Sequence, residues 1–235
     1  MAEDQTTLFQ KSWGIYDALA AENYMFHREL TSLVAEQLLE VSHCGGWSLL
    51  DLGCGNGRFL APALPQRGPQ RYLGVDLSGA AIEEARGRYL KSLDHAQFLQ
   101  ADMTEALWSM PGPWDVIYSS FAIHHLDSDE KMQLLELASA ALAPGGRMIW
   151  VDVFRTGGES REQYLAKYLA NMRQNWRLVS AADLDAACEH VAQYDFPEPL
   201  ENLASMAAAA GFGAPKLLGA FGPHHALTLS AAKAG

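Results

Sequence analysis

Between residues 48 and 154, short apolar runs alternate with longer and more polar segments of helical length. The apolar runs cover residues 48–52, 71–76, 97–101, 115–119 and 147–154. Residues 57–66, 79–90 and 127–142 are the helical segments between them. Continuous apolar strands that alternate with helices are typical of a parallel sheet covered on both faces. The pattern therefore predicts an α/β fold with a doubly wound sheet.

Two segments flank this alternation. Residues 27–42 have apolar side chains at helical spacing, which predicts an amphipathic helix lying against the sheet. Residues 216–221 and 224–230 are predicted strands, joined by a tight turn at Gly222 and Pro223. A closing hairpin added to five parallel strands predicts a seven-stranded sheet.

Residues 155–210 contain three further helical patterns, inserted before this hairpin. Ser180, with Asp183 three residues later, predicts the N-cap of one of these helices and an approximate capping box. We expect all 235 residues to form a single domain. Its expected parts are a helical cap at 1–43, a ligand-binding core at 45–154, a helical insertion at 155–210 that serves as a lid, and a hairpin at 215–231.

Composition and charge exclude several functional classes. No run is long and apolar enough to cross a bilayer, and the first ten residues, MAEDQTTLFQ, do not resemble a secretory signal. Cys44, Cys54 and Cys188 are too few and too widely spaced for a disulfide framework or a zinc knuckle. The formal net charge is −11 and there is no basic run, which disfavours nucleic acid as a partner. We expect a cytoplasmic monomer or homodimer that binds a small molecule and no membrane.

The stretch LLDLGCGNGRFL, residues 49–60, places a glycine-rich loop directly after the first predicted strand. The dinucleotide fingerprint G-x-G-x-x-G requires a third glycine, but Arg58 stands at that position when counting begins at Gly53. The loop instead has the pattern D-x-G-x-G-x-G, formed by Asp51, Gly53, Gly55 and Gly57. A carboxylate beside the loop would repel a pyrophosphate and would favour a ligand that carries an amino group.

Acidic residues also follow the second and third predicted strands. Asp76 is placed to accept hydrogen bonds from both hydroxyls of a ribose, and Asp102 from an adenine amino group, beside the apolar Met103. Open α/β sheets bind ligands at the carboxyl ends of their strands, where these acids lie. Each acid has a local alternative as a cap or turn residue, the strongest being Asp102 as a helix N-cap. S-adenosylmethionine (SAM) fits the site because it carries an amino group and a sulfonium charge but no phosphate.

These motifs resemble those of the class I SAM-dependent methyltransferases, over roughly residues 45–154. The matching elements are the loop at 51–57, Asp76, Asp102 and the Pro-Gly-Gly at 144–146, whose glycines we expect to end the helix before the fifth strand. The resemblance implies a Rossmann-like sheet of order 3-2-1-4-5-7-6 with strand 7 antiparallel, and SAM as cofactor. The cofactor-binding residues that we predict are Asp51, Gly53, Cys54, Gly55, Gly57, Asp76, Leu77, Asp102, Met103, Ser119 and Tyr16.

The acceptor is expected to approach the segment 118–126, which follows the fourth strand. This segment has SSFA where methylases of adenine or glutamine resemble each other in an Asn/Asp-Pro-Pro-Tyr. It also lacks the carboxylates with which the catechol type holds Mg²⁺, so we expect no metal. His124 and His125 are candidate general bases because imidazole titrates near physiological pH, and His124 is favoured as the residue nearer the strand end. The alternative is that one or both histidines pack or bond locally.

A stripe at four-residue spacing on one predicted helix of the insertion consists of Tyr164, Tyr168, Met172 and Trp176. Such a stripe is more often core than pocket. In the family that this chain resembles, however, a long insertion before the sixth strand usually builds the substrate cover. We therefore hypothesise an acceptor pocket lined by His27, Tyr164, Tyr168, Arg173 and Trp176, with Arg177 or His190 as further candidates.

The leading hypothesis is a methyltransferase that moves the methyl group of SAM to an O or N atom of a small organic acceptor by in-line displacement, giving S-adenosylhomocysteine. One alternative is a protein or RNA methyltransferase, which the acidic charge disfavours. Another is a SAM-binding protein that transfers no methyl group. An NAD-dependent oxidoreductase is disfavoured by Arg58, which replaces the third glycine of the dinucleotide fingerprint.

Overall fold

The computed structural model describes residues 22–43 and 45–231. The strands are β1 (Ser48–Leu52), β2 (Arg71–Asp76), β3 (Ala96–Gln100), β4 (Trp114–Ser120), β5 (Leu142–Val153), β6 (Lys216–Phe221) and β7 (His224–Ser230). The α-helices are α1 (His27–Ser42), α2 (Gly79–Glu84), α3 (Met103–Ser109), α4 (Ser128–Ala141), α5 (Arg161–Asn175), α6 (Ala181–Tyr194) and α7 (Leu200–Ala209). Residues 1–21 of the expected N-terminal cap lie outside the described residues.

The strands form one seven-stranded sheet in the order β3-β2-β1-β4-β5-β7-β6. The first five strands pair in parallel, and β7 is antiparallel to both β5 and β6. This confirms the predicted fold class and strand order. From β1 to β3 the strands are added toward one edge of the sheet, and from β4 onward they are added toward the other edge. This switch between β1 and β4 creates the crevice where doubly wound sheets bind ligands.

Both faces of the sheet are buried, as the continuous apolar strands predict. One face packs against α3, α4 and α7 around Trp114 and Trp150, which are almost fully buried. The other packs against α1 and the segment that follows the glycine loop, around Tyr72 and Tyr118. Since the strand residues are held on both sides, the carboxyl ends of β1, β2 and β4 have fixed positions.

The predicted helix at 57–66 is wrong. The chain there forms turns and a single 3₁₀ turn at Ala61–Ala63. Pro62 and Pro65 explain the difference, since proline lacks the N–H that an α-helix needs and clashes with the preceding turn. The other two helical segments are confirmed, although the first continues beyond α2 as a π-helical turn at Ala85–Tyr89.

The Pro-Gly-Gly segment does not end α4, which stops at Ala141. Residues 142–146 already belong to β5, where the register with β4 shifts between the pairs Trp114–Leu142 and Val116–Arg147. Pro144 explains the earlier end, because the residue before a proline avoids helical backbone. The glycines instead allow the irregular backbone at the start of β5, where Gly145 has φ 82°.

The insertion forms three helices, as predicted, namely α5, α6 and α7. Ser180 is the N-cap of α6, and its side chain accepts a hydrogen bond from the backbone N–H of Asp183. The Ser180 hydroxyl in turn donates to the Asp183 carboxylate, so the reciprocal half of a capping box is replaced by a side-chain contact. Within the described ranges, no helix combines the length and hydrophobicity that crossing a membrane requires.

Candidate functional site

The carboxyl ends of β1 to β4 open on a cavity of about 270 Å³. Many residues that the sequence assigned to cofactor binding line it. These are Asp51, Gly53, Cys54, Gly55, Asp76, Leu77, Asp102 and Met103. The cavity continues toward a second group of lining residues, which includes His27, Phe59, Phe121, His125 and Tyr194. Residues from distant parts of the chain therefore share one cavity.

The glycine loop is tightly bound to the end of β2. The backbone N–H groups of Gly53 and Cys54 both donate to the carbonyl oxygen of Val75, at 2.8 and 2.9 Å. Gly53 has φ 71°, and a Cβ atom added to it would lie 2.4 Å from the Cβ atom of Ala122. Only glycine meets both requirements without strain, so the loop can pass close to the turn after β4.

Asp51 is a nearly fully buried carboxyl group at the end of β1. Its Oδ2 atom accepts a hydrogen bond of 2.9 Å from the Tyr72 hydroxyl. Burial raises its pKa to about 7, against the opposing effect of that hydrogen bond, and the charge of Asp76 adds to the rise. The ionised form is thus destabilised in the protein alone, and a cationic group in the cavity would stabilise it.

Asp76 connects the end of β2 to the glycine loop. Its Oδ2 atom accepts the backbone N–H of Gly55 and its Oδ1 atom the backbone N–H of Ser78, both at 2.8 Å. Burial raises the pKa of Asp76, although these backbone hydrogen bonds oppose the rise. Since a carboxylate oxygen accepts more than one hydrogen bond, Asp76 retains capacity for ligand hydroxyls.

Asp102 is both a helix N-cap and a residue of the cavity wall. It is the N-cap of α3, where its Oδ1 atom accepts the backbone N–H groups of Thr104 and Glu105 at 2.8 and 3.2 Å. It also lines the cavity, next to Met103. Cys54 is buried there too, and burial raises the pKa of its thiol well above the usual value, which fits a neutral packing residue.

Two predicted cofactor residues, Ser119 and Gly57, are not among the described residues that line the cavity. Ser119 is fully buried, and its hydroxyl donates to the carbonyl oxygen of Leu52 at 2.8 Å. The neighbouring Ser120 lines the cavity instead, because successive strand side chains point to opposite faces. Gly57 packs against Leu90, where an added Cβ atom would lie 2.6 Å from a methyl carbon. Tyr16 lies outside the described residues.

The two adjacent histidines occupy different environments at the 3₁₀ turn Ile123–His125. The His124 ring lies behind the cavity wall, with Nδ1 2.5 Å from Oδ1 of Asp152. Burial lowers the pKa of His124, but Asp152 and Asp195 outweigh burial, so the pKa is raised overall. His125 lines the cavity, and burial together with His124 and His190 lowers its pKa well below the usual value. The residue favoured by the sequence is therefore the one that does not reach the cavity.

Aromatic rings line the second end of the cavity. The His27 ring stacks on Phe59 with centroids 3.8 Å apart, and Phe121 meets it edge-on at 4.9 Å. Burial lowers the pKa of His27 to about 3, with contributions from His224 and Arg58. His27 is therefore a neutral, flat part of this wall at physiological pH.

The aromatic stripe that begins on α5 is buried between the insertion and the body of the protein. Tyr164, Tyr168, Met172 and Trp176 are buried in a cluster that also contains Met25 and Val153. The Tyr168 hydroxyl lies 3.0 Å from Nε2 of His224, and the Tyr24 ring stacks on Trp176 at 5.4 Å. Arg173 is exposed on α5, and Arg177 is exposed beyond the end of that helix. The predicted acceptor residues on this helix are thus not brought to the cavity, because the helix uses its apolar face to bind the body of the protein.

Comparison with known proteins agrees with this geometry. Residues 49–146 match a family model described as a methyltransferase domain. Over 176 residues, the chain is 28% identical to trans-aconitate 2-methyltransferase of Acidovorax ebreus (strain TPSY), covering 74% of this chain and 65% of that protein. Over 156 residues it is 30% identical to an uncharacterized methyltransferase of Geobacillus kaustophilus (strain HTA426), covering 65% of this chain and 68% of that protein.

The chain belongs to the class I SAM-dependent methyltransferases.

The fold of this methyltransferase is also that of solved family structures. Magnesium protoporphyrin IX methyltransferase from Synechocystis PCC 6803 with bound SAM superposes with a TM-score of 0.60 at 14% identity, over 92% of this chain and 84% of that one. The likeness supports the shared architecture, since the sequences differ at most positions. This methyltransferase spans about two thirds of the length of the curated relatives described above.

SAM, the cofactor of the family, fits the groups present in this methyltransferase. A buried carboxyl at Asp51 is destabilised when ionised and suits a cationic amino group. The carboxylates of Asp76 and Asp102 are hydrogen-bond acceptors, and a pyrophosphate would be repelled by all three acids. The electrostatics of the cavity therefore match a phosphate-free, positively charged nucleoside.

Sequence patterns gave no reason to choose several cavity residues. Phe59, Phe121 and Tyr194 lie in a loop, a turn and the end of a helix, where no periodic pattern marks them. Phe121 has a positive φ of 53°, which is unusual for a residue with a side chain and is visible only in three dimensions.

Proposed function

We propose that this protein transfers the methyl group of SAM to an O or N atom of a small organic acceptor bound in the same cavity. The observation that carries the proposal is the continuity of the cavity, which joins the three carboxyl groups to a wall of neutral rings. SAM supplies a methyl group that its sulfonium already activates, so positioning of the acceptor is the main task left to the protein.

In this proposal each acid of the cavity holds a different part of the cofactor. Asp51 pairs with the amino group of SAM, which serves as a cationic partner for the buried carboxylate. Asp76 accepts hydrogen bonds from the ribose hydroxyls while its backbone contacts hold the glycine loop in place. Asp102 faces the adenine amino group, and Leu77 and Met103 supply apolar contacts to the base.

The acceptor end favours a flat and largely uncharged molecule. His27, Phe59 and Phe121 offer ring surfaces, and Arg58 is the sole Lys or Arg among the described residues that line the cavity. Trans-aconitate, named for the Acidovorax relative, carries three carboxylates, for which Arg58 would be the single Lys or Arg partner among the described lining residues. A hydroxyl or amino group on an aromatic or apolar framework is therefore the acceptor class that we propose.

His125 replaces His124 as our candidate for receiving a proton from the acceptor. It lines the cavity, and its Nδ1 atom lies 3.1 Å from the carbonyl oxygen of Tyr194, which favours a proton on Nδ1 and a lone pair on Nε2. A positioned base typically contributes about 10²–10⁴-fold to such a reaction. His124 is engaged by Asp152 and serves to hold the turn.

The test has a cofactor arm and an acceptor arm. SAM, but not NAD, should raise the melting temperature, and Asp76→Ala should weaken SAM binding about 10–100-fold through lost charge-assisted hydrogen bonds. Asp94→Ala, at an exposed acid outside the cavity, is the matched control. Turnover of SAM is then screened against hydroxyl- and amino-bearing aromatic metabolites.

For any acceptor found, His27→Ala should raise the acceptor KM and leave SAM affinity unchanged. Unchanged SAM affinity in Asp76→Ala would refute the cofactor assignment. A His27→Ala variant that loses SAM affinity but keeps the acceptor KM would refute the acceptor assignment.

A further inference from the structure

A second polar cluster lies directly behind the wall of the cavity. It consists of His124 and His125, from the turn after β4, and Asp195, which follows α6. Oδ1 of Asp195 lies 3.5 Å from Nε2 of His124 and 3.7 Å from Nδ1 of His125. All three residues are buried or half-buried. The insertion thus brings a carboxylate to two histidines that are distant from it in sequence.

These separations match those between the ligands of a bound transition metal. Zinc-type ions lie about 2.0–2.2 Å from nitrogen and oxygen ligands in tetrahedral sites, which places neighbouring ligand atoms roughly 3.4 Å apart. Two imidazoles and one carboxylate are also the ligand types that zinc, iron and cobalt accept. Three protein ligands leave a fourth position of a tetrahedral site open.

Asp152 supplies the supporting contact that metal-binding histidines usually have. Its Oδ1 atom lies 2.5 Å from Nδ1 of His124, while its Oδ2 atom accepts the His124 backbone N–H and the Trp150 indole N–H. A carboxylate on one ring nitrogen fixes the orientation of the imidazole and leaves the other nitrogen available to a metal. Here that other nitrogen, Nε2, is the one that faces Asp195.

Asp195 is a buried carboxylate whose partners are incomplete. Among the described residues, its Oδ1 atom has no hydrogen-bond donor. Arg161, the nearby cation, donates to the backbone carbonyl oxygens of Asp195 and Ala192 at 2.7 and 2.8 Å. A buried carboxylate oxygen without a donor is costly, and a cation at this point would compensate it.

We propose that His124, His125 and Asp195 form a binding site for one divalent transition-metal ion of the zinc type. Sequence analysis predicted no metal because the segment 118–126 has serines and no carboxylate, whereas Asp195 lies far along the chain in the insertion. Nδ1 of His125 gives up its contact with the Tyr194 carbonyl when it binds the ion, and the ring then keeps its proton on Nε2. His125 therefore cannot hold the ion and accept a proton from the acceptor at the same time.

The test uses Co²⁺ as a spectroscopic probe on the full-length protein after removal of metals with a chelator. The expected result is one Co²⁺ per chain, with the visible absorption of a four-coordinate ion. Asp195→Asn should abolish this absorption, and Asp152→Asn should weaken binding about 10–100-fold through the lost supporting contact. Asp185→Asn, at an exposed position of α6, is the control and should bind like the parent.

Circular dichroism of the metal-free proteins shows whether each variant is folded. If Asp195→Asn fails to fold, His125→Gln provides the same loss of a ligand at a half-buried position. The absence of stoichiometric binding by the parent would overturn the proposal. Binding that survives in both Asp195→Asn and His125→Gln would overturn it too.

Discussion

Replacement of Asp51 by asparagine tests the electrostatic basis of the cofactor site. The carboxyl group is 1% exposed, and burial raises its pKa from 3.8 to about 7. Between these values the folded protein holds a proton that the unfolded chain releases, so the stability of the folded protein falls as pH rises through this window. Asparagine has nearly the same shape but does not ionise, so the Asp51→Asn variant lacks this pH-dependent loss of stability.

The size of the effect follows from the shift. A rise of about three pKa units lowers the free energy of unfolding by roughly 4 kcal/mol at pH values above the pKa of both the folded and the unfolded state, since one unit is about 1.36 kcal/mol. Between pH 5 and pH 8, the Asp51 contribution alone should lower the free energy of unfolding by about 2.5 kcal/mol. The asparagine variant should therefore gain about that much relative to the parent over the same interval.

Urea unfolding of parent and variant at pH 5 and pH 8 measures this difference, and Asp94→Asn, at an exposed position, should follow the parent at both values. Saturating SAM should remove the difference between the parent's stability at pH 5 and at pH 8, because the amino group of SAM favours the ionised carboxylate of Asp51. An equal stability difference between parent and Asp51→Asn at the two pH values would refute the argument that burial destabilises the charge of Asp51.

Two further substitutions test the packing that positions the site. Gly53→Ala should lower the free energy of unfolding by about 1–3 kcal/mol more than Gly158→Ala. Both glycines have positive φ, but only a Cβ atom at position 53 would meet another atom, the Cβ of Ala122. Equal losses in urea unfolding would contradict this reasoning. Lys131→Met should cost about 3–5 kcal/mol, since the buried ammonium group holds the carbonyl oxygens of Leu126 and Phe196 and the carboxylate of Glu198. Lys91→Met, at an exposed lysine, is its control, and a similar loss there would show that burial of the charge is unimportant.

The sequence determined the sheet and the position of the cavity at its edge because both depend on local patterns. Each parallel strand is a continuous apolar run, so its identity does not depend on its neighbours. The acids at 51, 76 and 102 follow strands directly, and parallel strands bring their carboxyl ends to one edge. All three acids consequently line one cavity. Local pattern failed at residues 57–66, where two prolines override apolar periodicity.

Only the tertiary structure decided which side chains face the cavity. Ser120 lines it and Ser119 does not, because a shift of one residue along a strand changes the face of the sheet. His125 lines it while His124 is held by Asp152, a residue of another strand. The stripe on α5 is core because the helix docks by that face, and Asp195 reaches the histidines only through the fold of the insertion. Contacts between segments far apart in sequence carry no local pattern, so no reading of neighbouring residues could have supplied them.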